Sequence, residues 1–188
     1  MIRTLVIDLN FKKNSLGFYE FVLPLLSIAK NFGKCKVKHY SEISPDELKK
    51  DYEIILLSGN PLKDKKFLED IEKFIWMKKE NEKTILGICA GMQLISLIFG
   101  SNLKKCMEIG MTEIKTLKEN SFLPYPKFIA YELHNYAVEP SEEFEIIAKS
   151  DKCIQCIKHK EKEIYGFLFY PEVRNKSILE KFFKNFKH

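Results

Sequence analysis

Charge-free apolar runs and helically spaced apolar positions alternate along the first half of the chain. Leu5-Val6-Ile7-Asp8, Glu53-Ile54-Ile55-Leu56-Leu57 and Thr84-Ile85-Leu86-Gly87 read as buried strands of a parallel sheet, and Lys36 to Tyr40 as a further strand. Between the first two, an apolar helical run extends from Ser15 to about Phe32 and is closed by Gly33. Pro24 inside that run either kinks the helix or starts it late. Ser44-Pro45-Asp46-Glu47 combines an N-cap serine, proline at the first helical position and glutamate at the third, with one or two turns to follow before Tyr52. Phe67, Leu68, Ile71, Phe74 and Ile75 fall at helical spacing, with Trp76 and Met77 extending the apolar face. A last apolar helix begins after Ala90 and runs to Phe99, where Gly100 supplies the stop.

This alternation predicts an α/β fold: a mainly parallel central sheet flanked by helices, with right-handed crossovers. Ligands bind such sheets beyond the carboxyl ends of the strands, where both Gly59 and Cys89 fall. After Gly100 the period shortens. Met111 to Leu117, Lys127 to Leu133, Phe144 to Ala148, Cys153 to Lys158 and Ile164 to Phe169 alternate and are separated by turn residues, which predicts an antiparallel C-terminal elaboration. Lys158 to Lys162 reads as a hairpin turn that carries His159. Ile178 to Phe186 forms a final helix with Ile178, Leu179, Phe182 and Phe183 on one face.

The chain of 188 residues is expected to form one domain, 1–188. Apolar residues at 45% and charged residues at 30% place it with globular rather than disordered proteins. The net charge of +5 is spread over lysines that alternate with glutamates, which argues for a solvated surface and against a nucleic-acid partner. Abundant Lys, Glu and Ile hint at a heat-loving source. The first strand is too short for a membrane span or a signal core, so no membrane partner is expected. Five cysteines, Cys35, Cys89, Cys106, Cys153 and Cys156, follow no disulfide framework and fit a reducing cytoplasm. Cys153-Ile154-Gln155-Cys156 sits in a strand-like stretch whose period turns the two thiols to opposite sides, so neither a metal nor another cofactor is expected.

Between the fourth strand and its helix lies Gly87-Ile88-Cys89-Ala90-Gly91. A glycine two places before and two places after a central cysteine spells a strand–turn–helix nucleophile elbow. The helix N-terminus favours a thiolate at Cys89, and the backbone N–H of Ala90 is placed for an oxyanion hole.

Gly87-Ile88-Cys89-Ala90-Gly91-Met92-Gln93 resembles the nucleophile motif of the class I (triad-type) glutamine amidotransferases. Leu56-Leu57-Ser58-Gly59-Asn60-Pro61 is similar to that family's oxyanion strand, and Tyr165-Gly166-Phe167-Leu168-Phe169-Tyr170-Pro171-Glu172 to its closing motif. Order and spacing agree over most of the chain. The resemblance implies a flavodoxin-like fold, glutamine or a similar small molecule as ligand, and, as partner, a separate synthetase subunit. It implies Cys89 as nucleophile, Glu172 as orienting carboxylate, Gly59 or Asn60 with Ala90 as oxyanion hole, and Gln93 in the glutamine pocket. Glu132-Leu133-His134-Asn135 resembles a loop beside that pocket.

One residue departs from the pattern. The family's catalytic histidine falls on Tyr170, and a phenol with pKa near ~10 is a poor base where imidazole, near ~6.5, is a good one. Of the four histidines, His39 and His188 read as surface residues and His159 lies a strand away, which leaves His134 as the one substitute. Two readings follow: a glutaminase-type subunit impaired by loss of its base, or a non-catalytic relative with a ligand-binding or regulatory role. A cysteine hydrolase of similar architecture that places histidine directly after the cysteine is a third, and Ala90 in that position counts against it.

Overall fold

The computed structural model describes residues 1–186, so His188 lies outside the described residues. One nine-stranded sheet runs through them in the order β2-β1-β3-β4-β9-β8-β7-β5-β6. Its parallel half comprises β1 (Ile2–Asp8), β2 (Gly33–His39), β3 (Ile54–Leu57), β4 (Thr84–Ile88) and β9 (Ile164–Phe167). Its antiparallel half comprises β5 (Asn102–Thr116), β6 (Lys127–Glu139), β7 (Phe144–Lys149) and β8 (Ile154–His159). The parallel core strands β3, β4 and β9 are buried at every position, as strands covered on both faces must be.

Chain order reverses between β1 and β3: β1 leads outward to β2, while β3 leads the other way to β4. This is the switch point at which α/β sheets open a crevice. The helices are α1 (Leu23–Ala29), α2 (Pro45–Leu48), α3 (Ala90–Ile98) and α4 (Lys176–Asn185). Ser44 caps α2 by accepting from the Glu47 N–H at 3.2 Å. Gly100 ends α3 with φ +78°.

Several expectations need correction. The run from Ser15 is helical but opens with a π-helical stretch, Phe18–Val22, before α1, and Pro24 sits in the first turn of α1. The helix expected over Phe67 to Met77 is a 3₁₀ segment, Lys66–Lys78, with a non-helical break at Asp70. The last strand, β9, pairs parallel to β4 and so belongs to the central sheet rather than to the antiparallel elaboration. Cys153 precedes β8 instead of lying in it. His39 and His159 are buried: His39 Nε2 lies 2.7 Å from the Asn10 carbonyl, and His159, at the end of β8, packs edge-on against Phe99.

Candidate active site

Cys89 sits between the last residue of β4 and the first of α3, with φ +46° and ψ −98°. A non-glycine residue there is strained, and the close packing around it accounts for the flanking glycines. A Cβ on Gly87 would lie 2.3 Å from the Gly91 carbonyl carbon, and one on Gly91 would lie 2.6 Å from the Leu57 oxygen. The Cys89 N–H donates to the Phe167 carbonyl at 2.7 Å, which ties the elbow to the end of β9.

Three residues beyond β9, Tyr170 reaches the same place. Its N–H donates to the Tyr131 carbonyl of β6 at 3.0 Å. Its ring packs against Phe21 and lies flat on Gly59, where a Cβ would come within 2.4 Å of Cε1. Its hydroxyl is shared between the carbonyls of Asn60 and Leu133, each at 3.4 Å. The Cys89 thiol points at the same Leu133 carbonyl, 3.7 Å away.

The electrostatics differ from those of an activated thiol. Burial pushes the Cys89 thiol up to about 12; the Tyr170 hydroxyl and the Ala90 N–H pull it down by less, and the charges of Glu132 and Glu172 push it further up. The helix N-terminus alone does not deliver the thiolate expected from the sequence. Burial and the neighbouring thiol raise Tyr170 well above its ordinary value. Glu172 is 1% exposed, neither of its oxygens has a hydrogen-bond partner in another residue, and burial raises it to about 8. Cys89, Tyr170 and Glu172 thus gather at the carboxyl edge of the sheet, with no cation among them.

Around the thiol lies a small cavity of about 20 Å³, lined by Asn60, Leu62, Lys65, Cys89, Gln93, Leu133, His134 and Tyr136. That is room for about one water, not for an amino acid. Its walls are bonded shut. Gln93 Nε2 donates to the Tyr136 carbonyl at 3.0 Å, Asn135 Nδ2 to the Leu62 carbonyl at 3.4 Å, and Lys65 Nζ stands 3.2 Å over the Tyr136 ring. Asn60 Nδ2 is bound to the Asp64 carbonyl at 2.8 Å, which folds this loop on itself.

His134 lines the cavity, but its ring is engaged elsewhere. Nδ1 lies 3.0 Å from the Cys106 carbonyl, and Nε2 lies 3.3 Å from both Glu108 Oε2 and Glu132 Oε2. The latter two are close contacts without hydrogen-bond alignment, so Nε2 and both Glu132 oxygens count as unpartnered. Burial alone would lower His134, but the two carboxylates outweigh it and hold the imidazole up at about 9. Burial raises Glu132 to about 7, partly offset by His134. The sequence reading missed this cluster and the Leu133 carbonyl. Glu132 and His134 at spacing two on one strand were the available signal; Glu108 and Cys153 join them only through strand pairing and a turn.

A family model described as glutamine amidotransferase class-I matches residues 21–188. The glutamine-hydrolyzing GMP synthase subunit of Methanocaldococcus jannaschii is 38% identical over 149 residues, covering 74% of this chain and 75% of that protein. Its namesake in Saccharolobus solfataricus is 30% identical over 147 residues, covering 75% and 78%. Among solved structures, a Thermoplasma acidophilum protein provisionally assigned as a GMP synthase subunit superposes with TM-score 0.83 at 24% identity, covering 99% of this chain and 94% of that one. A glutamine amidotransferase of Thermotoga maritima gives 0.69 at 19%, covering 99% and 82%. These two likenesses establish the shared fold.

Proposed function

The chain belongs to the class I glutamine amidotransferase family, and we propose that it is a glutaminase-type subunit whose hydrolytic centre is impaired because Tyr170 stands where the base is needed. The similarity to the glutamine-hydrolyzing GMP synthase subunits supports glutamine as the ligand and a separate synthetase as the partner. Among the described residues, no helix is long and apolar enough to cross a membrane. We place the protein in the cytoplasm.

Glutamine hydrolysis at such an elbow proceeds through the thiol. Cys89 Sγ attacks the side-chain amide carbon, the carbonyl oxygen turns toward the N–H groups of Ala90 and of Gly59 or Asn60, and the C–N bond breaks. The thiol proton must leave Sγ and arrive on the departing ammonia; water then cleaves the thioester to glutamate. An imidazole does both transfers. A protonated phenol, buried and raised above its ordinary value, does neither at neutral pH. Glu172 stands ready to orient an imidazole and has none to orient. The observation that carries the proposal is the Tyr170 hydroxyl beside the Cys89 thiol, with the imidazole of His134 engaged by Glu108 and Glu132 instead.

A second reading, a non-catalytic relative that binds a ligand or regulates a partner, is favoured by the closed cavity and by Gln93, whose amide holds β6 rather than facing a ligand. One experiment addresses both. Ammonia release from glutamine is measured for the native chain, alone and with the synthetase component of a GMP synthase. Losing a general base typically forfeits about 10²–10⁴-fold, so native turnover is expected that far below that of an intact relative. Turnover at the intact relative's level overturns the impairment. Residual turnover that the synthetase raises supports the glutaminase reading; complex formation with none supports the regulatory one.

A further inference from the structure

Behind the Cys89 pocket, β5, β6 and the turn between β7 and β8 bury four chemistry-bearing side chains together: Glu108, Glu132, His134 and Cys153, all at most 7% exposed. We propose that Glu108, His134 and Cys153 hold a metal ion, a divalent cation of zinc type, with the Glu132 carboxylate beside them. The ligand atoms of Glu108, His134 and Cys153 lie within 4.8 Å of one another. Glu132 Oε2 lies 3.3 Å from His134 Nε2 but outside that group of three, so it adds negative charge beside the site rather than a ligand.

Three independent features support the assignment. First, the hydrogen bonding is lopsided. Glu108 Oε2 faces Gln155 Nε2 at 2.7 Å, Ser150 Oγ at 3.1 Å, Cys153 Sγ at 3.1 Å and His134 Nε2 at 3.3 Å. Both oxygens of Glu132, fully buried, have no hydrogen-bond partner and neither does His134 Nε2. Unpartnered buried carboxylate oxygens are costly, and a cation beside them lowers that cost.

Second, the spacing fits. Ligand atoms about 2.0 Å from a tetrahedral zinc stand about 3.3 Å apart. His134 Nε2 keeps 3.3 Å from each carboxylate. Cys153 Sγ, 3.1 Å from Glu108 Oε2, needs only a few tenths of an ångström more. A donor set of one nitrogen, one sulfur and one carboxylate oxygen suits zinc; calcium and magnesium take oxygen alone.

Third, the ligands are oriented from behind. The Cys106 carbonyl, 3.0 Å from His134 Nδ1, takes the Nδ1 proton, so an ion that displaces the Nε2 proton meets a lone pair facing the cluster. Gln155 and Ser150 hold Glu108, and Ser150 Oγ also accepts from the Cys153 N–H at 3.1 Å. Such outer partners accompany metal ligands generally.

The ion would act structurally. In the sheet, β5 meets β7 only through Lys115↔Lys149 and Thr116↔Ala148. The proposed site bridges the two hairpins beyond that short ladder. It also fixes Leu133, between Glu132 and His134, whose carbonyl faces both the Cys89 thiol and the Tyr170 hydroxyl.

The test uses the full chain, purified through a tag that binds no metal. Mass spectrometry of metals is expected to find about one zinc per chain, and removal by a chelator is expected to lower the melting temperature until zinc is restored. Cobalt(II) added to the stripped chain is expected to give the strong visible bands of a tetrahedral site and a sulfur-to-cobalt charge-transfer band. Cys153→Ser should lose the charge-transfer band, Glu108→Gln should weaken cobalt binding about 10-fold or more, and Cys35→Ser should change nothing. If Cys153→Ser does not fold by circular dichroism, the native chain decides alone. The proposal is overturned if the native chain binds neither zinc nor cobalt near one equivalent, if the charge-transfer band survives in folded Cys153→Ser, or if nitrogen NMR finds His134 as an imidazolium ion-paired to its carboxylates with zinc present.

Discussion

Tyr170 fits only because residue 59 has no side chain, so the elbow's neighbour and the substituted base are one packing problem. The ring fills the space over Gly59 and its hydroxyl finds two carbonyls, which makes the tyrosine part of the core. The consequence for Cys89 is a protonated, covered thiol. With Cys35 and Cys106 only half-buried, iodoacetamide at pH 7 should modify those two well before Cys89, as peptide mass mapping would show. Early labelling of Cys89 would mean an activated thiolate. Glu172 makes a second prediction. Its folded pKa of about 8 exceeds the ordinary 4.5, so the folded state holds the proton more tightly. The resulting stability is complete below about pH 4.5 and is lost as pH rises through 8. Glu172→Gln should therefore be more stable than the native chain at pH 8 to 9, by up to several kcal/mol (on the order of 4), with the gap closing by pH 5. Urea unfolding at the two pH values measures it; an equal gap at both would exclude this linkage.

At the scale of the elements, the elbow is held by backbone rather than by side chains. A Cβ on Gly91 meets the Leu57 oxygen at 2.6 Å, and neither partner can rotate away. Gly91→Ala should cost at least about 2 kcal/mol in urea unfolding, and a cost under about 0.5 would show the helix free to shift. The elbow was legible because its chemistry is local: strand, glycine, cysteine, glycine and helix follow one another in the chain. The first four parallel strands were legible for the same reason. The 3₁₀ character of Lys66–Lys78 was not, since Phe67, Phe74 and Met77 bury equally well from either helix type. The first half of β5 was also hidden. Its register shifts between Lys105 and Glu108, which breaks the alternation, and Met107 and Ile109 face outward. Tyr170 was visible by motif alignment, whereas the Glu108–His134 pairing exists only across strands. His39 was misplaced on the surface because a histidine's burial depends on a partner far along the chain, here Asn10.

Across the molecule, the sheet brings residues from four distant segments to one edge: Gly59 after β3, Cys89 after β4, Leu133 in β6 and Tyr170 after β9. Three of them follow parallel strands that lie side by side, in the fold shared with class I glutamine amidotransferases. The antiparallel half lines the pocket from the other side, through Leu133 to Tyr136 of β6, and carries the proposed metal site. If the missing base is the only defect, a single substitution should restore the chemistry, because Glu172 is already buried beside the site and unpartnered. An imidazole there would accept the thiol proton and give Glu172 a donor. The decisive measurement is the kcat for ammonia release from saturating glutamine by the native chain and by Tyr170→His, each with the synthetase present. A rise of about 10²-fold or more is expected in the variant. A native rate equal to or above that of a folded Tyr170→His variant would contradict the loss of the base as the cause of impairment.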